Sequence, residues 1–240
     1  PLPMVIVRTK IVGERKYYYL EHSYRSGSKV LKKERYLGVQ LPSNIPQLKR
    51  EFLLGLYKEK WLTLFDSIKR NYQKEQKQVP PSLQEKETKT FAIKFTYNTN
   101  RIEGSTLTLR ETANLLEHGI TPPGKPLPDV KEAEAHEKLF YEVVAYQSDL
   151  TLQATLYWHK KLLESTKPDL AGKIRRHQVA ISGSTFVPPL PVEVDTLLRE
   201  FYRWYHLQNK KLHPVELAAL VHLRFVTIHP FGDGNGRLSR

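Results

Sequence analysis

A glycine-rich loop close to the end of the chain carries the residues best suited to chemistry. It follows an apolar helical stretch, and residues 229–240 have the sequence HPFGDGNGRLSR. Gly232, Gly234 and Gly236 allow left-handed backbone conformations, so that successive N–H groups can point at one anion. A helix that begins near Asn235 would add its own free amide groups. The pattern predicts a cradle for phosphate groups.

The side chains around these glycines indicate which ligand the cradle would bind. Arg237 and Arg240 are three positions apart, so they share a helix face and can bring two guanidinium groups to a polyphosphate. Asp233 would repel phosphate unless a cation lay between them, and Mg²⁺ commonly binds carboxylates together with phosphate oxygens. His229, placed by Pro230, can accept a proton from a hydroxyl group near neutral pH. These residues predict nucleotide phosphoryl or nucleotidyl transfer with Mg²⁺.

Two other interpretations of the loop are weaker. GDGNG alone could be an ordinary surface loop, but the histidine before it and the two spaced arginines after it argue against that. A calcium-binding EF-hand would need ligands at fixed positions and a closing glutamate, which this sequence lacks.

Residues 82–228 precede the loop and must position it, and their apolar periodicity predicts mainly helices. We expect helices over about 82–102, from Thr108, and over 129–147, 151–165, 192–207 and 214–228. The segment from Gly172 to Pro189 instead alternates around Ser182, Gly183 and Ser184, which predicts a short β-hairpin. The predicted fold class is mainly α, a helical bundle that carries one β-hairpin.

The amino-terminal part has a different pattern. Residues 3–12, 16–25 and 29–38 are rich in β-branched and aromatic side chains and predict a three-stranded meander. An amphipathic helix from Pro46 to about Gln73 follows, and we expect it to cover this sheet. Prolines then interrupt the helix, so the predicted domains are residues 1–78 and 79–240.

Composition excludes several classes of protein. The chain has 240 residues, 40% of them hydrophobic, which is enough for a core, and it contains no cysteine. Disulfides, thiolate metal sites and cysteine nucleophiles are therefore excluded. No apolar run reaches the roughly 18 residues of a membrane span, and the opening residues lack the order of a secretory signal. We expect a cytoplasmic protein with no membrane partner.

Residues 229–240 match the signature of Fic-domain proteins, HPFx[DE]GNGRxxR, at every defined position. The helix before them and the 172–189 hairpin resemble that family's helix and flap, so the resemblance covers roughly residues 82–240. It implies a helical bundle that transfers AMP from ATP to a Ser, Thr or Tyr hydroxyl of a target protein. By position, the resemblance implies that His229 is the base and Asp233 the Mg²⁺ ligand. It also implies that Gly234, Asn235 and Gly236 form the anion hole, and that Arg237 and Arg240 bind phosphate.

The hairpin would have a role in such a site. An edge strand offers unpaired backbone groups, and an extended target segment can add to it and bring its hydroxyl to His229. The expected flap positions are Ile181, Ser182, Gly183, Ser184 and Phe186.

Residues 99–104, TNRIEG, resemble the family's inhibitory motif, [ST]xxxE[GN]. Thr99 and Glu103 are one helical turn apart and share a face, so a carboxylate can be aimed from a helix. If Glu103 reaches Arg240, it takes the guanidinium that would otherwise bind the γ-phosphate, and ATP would bind unproductively. The resemblance thus implies self-inhibition. It leaves open that the same carboxylate positions water to remove AMP.

A second hypothesis rests on charge. Residues 1–50 hold 11 basic and 3 acidic side chains, which supply +8 of the chain's net charge of +13. Such a segment can follow a phosphate backbone, so the alternative function is a nucleic-acid-associated binding or regulatory module with an idle Fic site. Whether the chain forms a homodimer stays open.

The end of the sequence also bears on the expected domain. The chain stops at Arg240, one turn into the helix that should support the anion hole, and so short a helix is not stable alone. We therefore expect a catalytic domain truncated at its carboxyl end.

Overall fold

The computed structural model describes residues 5–26, 28–181 and 183–240, and the chain divides into two units, residues 1–77 and 78–240. The first unit is built on an antiparallel sheet of order β1-β2-β3. Its elements are β1 (Ile6–Val12), β2 (Arg15–Ser26), β3 (Lys29–Gly38) and α1 (Ile45–Gln76). The predicted meander is therefore confirmed.

Turn chemistry fixes the first hairpin of this sheet. Gly13 has a φ of 61°, which suits glycine, and the flanking residues Val12 and Arg15 pair across the turn. Leu20 at the centre of β2 is fully buried. At least this apolar side chain of the sheet is thus shielded from solvent.

Helix α1 covers the sheet less completely than expected. It contacts β2, but none of its residues is buried. The reason is visible in the sequence, because the apolar side chains of α1 are spread around the helix instead of forming one stripe.

The second unit is helical, as expected. Its helices are α2 (Pro81–Ile102), α3 (Leu109–His118), α4 (Leu127–Ala145), α5 (Leu152–Leu163), α6 (Pro191–Gln208), α7 (Pro214–Ile228) and α8 (Asn235–Ser239). The capping box predicted at Thr108 is present, because its side chain accepts from Glu111 N while the Glu111 side chain accepts from Thr108 N. In the described part of the chain, no helix is long and apolar enough to cross a membrane.

Short helix α8 is held between two apolar clusters. One contains Phe201, Phe225 and Phe231, and the other contains Trp158 and Leu162. Leu238 of α8 packs against both clusters. Tertiary packing, rather than helix length, therefore stabilises this five-residue element.

The 172–189 segment differs from its prediction, because its described residues form no β-hairpin ladder. Side chains hold the two arms together instead: Arg175 Nη2 donates to Pro189 O at 2.6 Å, and Gln178 Nε2 donates to Pro188 O at 2.9 Å. Pro188 and Pro189 have no N–H to give to a ladder, which explains the difference. At the tip, Ser184 N donates to Ile181 O at 3.1 Å.

Candidate active site

The chain leaves α7 at His229 in a left-handed conformation. With φ 51° and ψ 58°, His229 is the only residue other than glycine with a positive φ in the described ranges. Its N–H still donates to Phe225 O at 3.1 Å, and Pro230 then prevents the helix from continuing. Backbone strain of this kind concentrates at functional sites. The local sequence thus places the histidine where helix and loop meet.

The environment of His229 fixes its tautomer. Nδ1 lies 3.2 Å from Val226 O, and a carbonyl oxygen can only accept, so Nδ1 carries the proton. Burial lowers the pKa of His229, and the charge of Arg175 lowers it further, against the raising effect of Val226 O. The neutral imidazole therefore keeps a lone pair on Nε2, the form that a general base needs.

Arg175 ties this histidine to the 172–189 segment. It is only 3% exposed, and its Nε donates to His229 O at 2.7 Å. Its Nη1 and Nη2 donate to His177 O and Pro189 O, at 3.1 and 2.6 Å. Its backbone N–H donates to Pro230 O at 3.0 Å. One buried guanidinium thus fixes the left-handed residue and the base of the segment beside it.

Asn235 closes the glycine-rich loop from within. Its Oδ1 accepts from Phe231 N at 2.9 Å, and its Nδ2 donates to Phe231 O at 2.8 Å. The residue is 2% exposed. Because the side-chain amide is used in this way, only the backbone of Asn235 is left for the predicted anion hole.

His159 of α5 contacts the glycine-rich loop and holds it in place. Its Nδ1 accepts from Gly172 N at 2.9 Å, and its Nε2 lies 3.0 Å from Asp233 O. These partners require a neutral ring protonated at Nε2, in agreement with the lowering of its pKa by burial. The ring also stacks on Phe231 with centroids 3.7 Å apart. His159 is therefore a positioning residue.

Asp233 points its two carboxylate oxygens at different partners. Oδ2 pairs with Lys167 Nζ, and Oδ1 accepts from Gly234 N at 2.5 Å. Burial would raise the pKa of Asp233, but the Lys167 hydrogen bond, the Arg237 charge and the Gly234 N–H together lower it. Asp233 is therefore an anion at neutral pH.

Arg237 is buried in an ion pair. Its side chain is 1% exposed and pairs with Glu132 of α4, which is 14% exposed, while its Nη2 lies 3.5 Å from Asp233 Oδ1. Its Nε is buried without a hydrogen-bond partner among the described residues. The predicted contact of Arg237 with phosphate stays a prediction.

Arg240 makes the contact expected of the inhibitory motif. Its Nη2 donates to Glu103 Oε1 at 2.5 Å, and its Nε donates to Thr99 Oγ1 at 2.7 Å. Glu103 caps the carboxyl end of α2, and the two charged side chains are 23% and 29% exposed. A Cβ on Gly236 would collide with Glu103 Oε1, so glycine at this position permits the approach.

Comparison with known proteins places this chain in a family. A model of the Fic/DOC family matches residues 149–240. The crystal structure of a Fic domain containing signaling protein from Bacteroides thetaiotaomicron is 31% identical in sequence, with a TM-score of 0.64, over 72% of this chain and 69% of that chain. The chain belongs to the Fic/DOC family.

Other Fic proteins agree with this assignment. Protein adenylyltransferase Fic of Drosophila melanogaster is 36% identical over 148 residues, which are 60% of this chain and 30% of the relative. Fic-1 from C. elegans is 26% identical, with a TM-score of 0.65, over 82% of this chain and 60% of that chain. The chain thus spans about 30% of the length of the curated relatives.

The structure brings the predicted Fic motif and inhibitory motif together and adds residues that sequence reasoning missed. The missed residues are Lys167, Arg175, His159 and Glu132. All four contact the motif from 54 to 105 positions away in sequence, and no local spacing could reveal that. Of the expected flap positions, Ile181, Gly183, Ser184 and Phe186 form the tip of the 172–189 segment, and Ser182 lies outside the described residues.

The residues of the loop fit the Mg²⁺ that the Fic resemblance implies. The described residues include no cluster of three His, Asp or Glu side chains for a metal. However, Mg²⁺ in phosphate sites often needs only one or two carboxylates, and the phosphates supply further oxygens. Asp233, ionised and 32% exposed, is such a carboxylate.

Proposed function

We propose that this Fic protein transfers AMP from ATP to a Ser, Thr or Tyr hydroxyl of a target protein and inhibits itself through Glu103. The curated relatives named protein adenylyltransferase support the reaction. The observation that carries the proposal is the juxtaposition of His229, the glycine-rich loop and the Glu103–Arg240 pair.

His229 acts as the general base. Its Nε2 accepts the proton of the target hydroxyl, and the oxygen attacks the α-phosphorus of ATP. A new P–O bond forms, the bond to the β-phosphate breaks, and pyrophosphate leaves. The Val226 carbonyl holds the proton on Nδ1 throughout, so the accepting nitrogen is defined before substrate binds.

The loop binds the phosphates. The backbone amides of Gly232, Gly234 and Gly236 would donate to phosphate oxygens. A Cβ on Gly232 or Gly234 would lie 3.2 Å from a leucine methyl group of the protein, so glycine allows the loop to pack closely there. The two hydrogen bonds between the Asn235 side chain and the Phe231 backbone keep the loop closed. Mg²⁺ on Asp233 would supply positive charge to the leaving pyrophosphate. The tip of the 172–189 segment is exposed at Gly183 and Phe186 and would dock an extended segment of the target.

Glu103 acts as a brake. While it pairs with Arg240, the guanidinium that would bind the γ-phosphate is occupied, and a carboxylate lies where phosphate would bring more negative charge. The same carboxylate could orient a water molecule for removal of AMP. Incubation of an AMP-modified target with wild type and Glu103→Gln tests that role, since only wild type should release AMP.

The test of the main proposal is incubation with Mg²⁺ and ATP labelled on either the α- or the γ-phosphate. We expect Glu103→Gly to raise protein labelling by the α-label only, and Glu103→Gly with His229→Ala to abolish it. Glu117→Gly, at the end of α3, is the matched control and should behave as wild type. Transfer of the γ-label, or labelling that survives without His229, would overturn the proposal.

A second candidate function belongs to the first unit. Residues 1–77 carry 17 basic and 7 acidic side chains, a net +10, within a unit of their own. This charge favours binding to a nucleic-acid backbone. The whole chain should then bind labelled duplex DNA more weakly at 200 mM than at 50 mM salt, and Lys29→Glu with Arg35→Glu should weaken binding where Lys94→Glu does not. Absence of binding at low salt would exclude it.

A further inference from the structure

Lys167 occupies the carboxylate that the proposed reaction needs for metal. Its Nζ pairs with Asp233 Oδ2 and lies 3.6 Å from Glu132 Oε1. The lysine side chain is 40% exposed, whereas that of Glu132 is 14% exposed. Two carboxylates therefore share one ammonium group, which can also reach solvent.

Hydrogen bonds fix the backbone of Lys167, whereas its side chain is 40% exposed. Its N–H donates to Leu163 O at 2.8 Å, and its carbonyl accepts from Leu170 N and Ala171 N at 3.1 and 3.0 Å. The neighbouring Thr166 Oγ1 donates to Glu132 Oε1 at 3.1 Å. The turn after α5 thus presents the ammonium group from a fixed point, and rotation of the side chain alone can transfer it between acceptors.

The charges around Asp233 balance without metal. Lys167 and Arg237 contribute two positive charges, and Asp233 and Glu132 contribute two negative charges, all within one network. A divalent cation at Asp233 would leave the network with a net +2 and would face the ammonium group at the same carboxylate. Nucleotide phosphates remove that excess charge, because they bring their own negative charge to the metal.

We propose that Lys167 is a resident counter-ion that holds the Asp233 carboxylate and makes metal binding there depend on nucleotide phosphates. This inference rests on the proposed function of the same site. When metal and phosphates arrive together, the ammonium group leaves Asp233, and Glu132 is the acceptor already beside it. Metal alone must compete with Lys167 and binds weakly.

The test uses Mn²⁺ without nucleotide on the whole chain. Site-specific binding is followed by paramagnetic broadening of the backbone amide signals of residues 232–236. We expect Lys167→Met to bind Mn²⁺ about tenfold more tightly than wild type, the change expected when about 1.4 kcal/mol of competition is removed. Lys173→Met, an exposed lysine nearby, is the matched control, and Lys167→Arg should stay close to wild type because it keeps the charge.

A double-mutant cycle separates local competition from general electrostatics. In an Asp233→Asn background, Lys167→Met should no longer change Mn²⁺ affinity. Unchanged affinity in Lys167→Met, weaker binding, or tightening that persists without Asp233 would each overturn the inference. Because the readout is metal binding alone, its failure is distinct from failure of the α-label experiment on AMP transfer.

Discussion

Arg237 and Arg240 lie three residues apart in the Fic motif, yet the regions around them differ. The Arg237–Glu132 pair is buried, with side chains 1% and 14% exposed, and Lys167 joins it. The Arg240–Glu103 pair is 23% and 29% exposed and has Thr99 as its further partner. A buried pair is costly to break, whereas a partly exposed pair can exchange partners with water or a ligand. One pair therefore suits structure and the other suits regulation.

The largest expected difference between the regions is in stability. Glu132→Gln should lower the free energy of unfolding by about 3–5 kcal/mol, because it removes the main carboxylate partner of the buried Arg237 and leaves only Asp233 Oδ1, 3.5 Å from Nη2. Glu103→Gln should change it by no more than about 1 kcal/mol. Urea denaturation of both variants at neutral pH measures the contrast. Equal losses would show that the two pairs are alike.

The pH dependence of stability tests the buried region around Arg237, which includes His136. Burial, followed by the charges of Arg237 and Arg240, lowers the pKa of His136 to about 4. Below about pH 6.5 His136 is protonated in the unfolded chain, whereas in the folded chain it stays neutral until the pH approaches 4. Because the unfolded chain binds the extra proton, the free energy of unfolding falls as the pH falls through this window. The difference corresponds to roughly 3 kcal/mol.

The variant His136→Asn keeps a polar partner for Thr96 and removes this titration. Its free energy of unfolding should fall less than that of wild type between about pH 7 and pH 4.5. His118→Gln, at an exposed position, should follow wild type. Parallel curves for His136→Asn and wild type would assign the acid sensitivity to other groups.

Arg175 is a third arginine at the site, and it differs from the other two because its side chain donates to backbone carbonyls instead of pairing with a carboxylate. Arg175→Met should lower AMP transfer about tenfold and raise the pKa of His229, since the positive charge of Arg175 lowers it. The negative charges of Glu103 and Asp233 raise the pKa of His229 and would act unopposed by Arg175 in this variant. NMR of the histidine ring measures the pKa. Arg176→Met, one residue away and exposed, is the control. An unchanged His229 pKa would contradict the account.

The smallest effect is expected at Thr99. Its hydroxyl accepts from Arg240 Nε, and a hydrogen bond to a charged group contributes about 1.5–3 kcal/mol at most. Thr99→Val keeps Glu103 and the bond from Arg240 Nη2 to the Thr99 carbonyl at 3.3 Å, so only part of that energy is lost. We expect AMP transfer to rise about twofold to fivefold, which corresponds to about 0.4–1 kcal/mol. Initial rates of α-label transfer measure this. A rate equal to that of Glu103→Gly would move the centre of the brake from Glu103 to Thr99.

Sequence reasoning captured what is encoded locally. The Fic motif, the Thr99–Glu103 spacing and the Thr108 capping box each lie within twelve residues, and the fold class followed from periodicity. The structure adds that Glu103 does reach Arg240, 137 positions away, which the spacing alone could only suggest.

The rest depended on tertiary packing. Glu132 and Lys167 stand in ordinary polar patterns, and nothing in their neighbourhoods marks them as partners of Arg237 and Asp233. The predicted hairpin was wrong as a ladder because alternation cannot reveal that Arg175 and Gln178 side chains replace backbone pairing. Helix α1 contacts the sheet without burying a residue, since its apolar side chains face several directions.

The most direct test of the contrast between the two pairs is the initial rate of AMP transfer per folded molecule in Glu103→Gln and in Glu132→Gln. We expect Glu103→Gln to exceed wild type at least tenfold, because Arg240 becomes available to ATP, and Glu132→Gln to stay at or below wild type. A wild-type rate in Glu103→Gln, or an equal rise in Glu132→Gln, would contradict it.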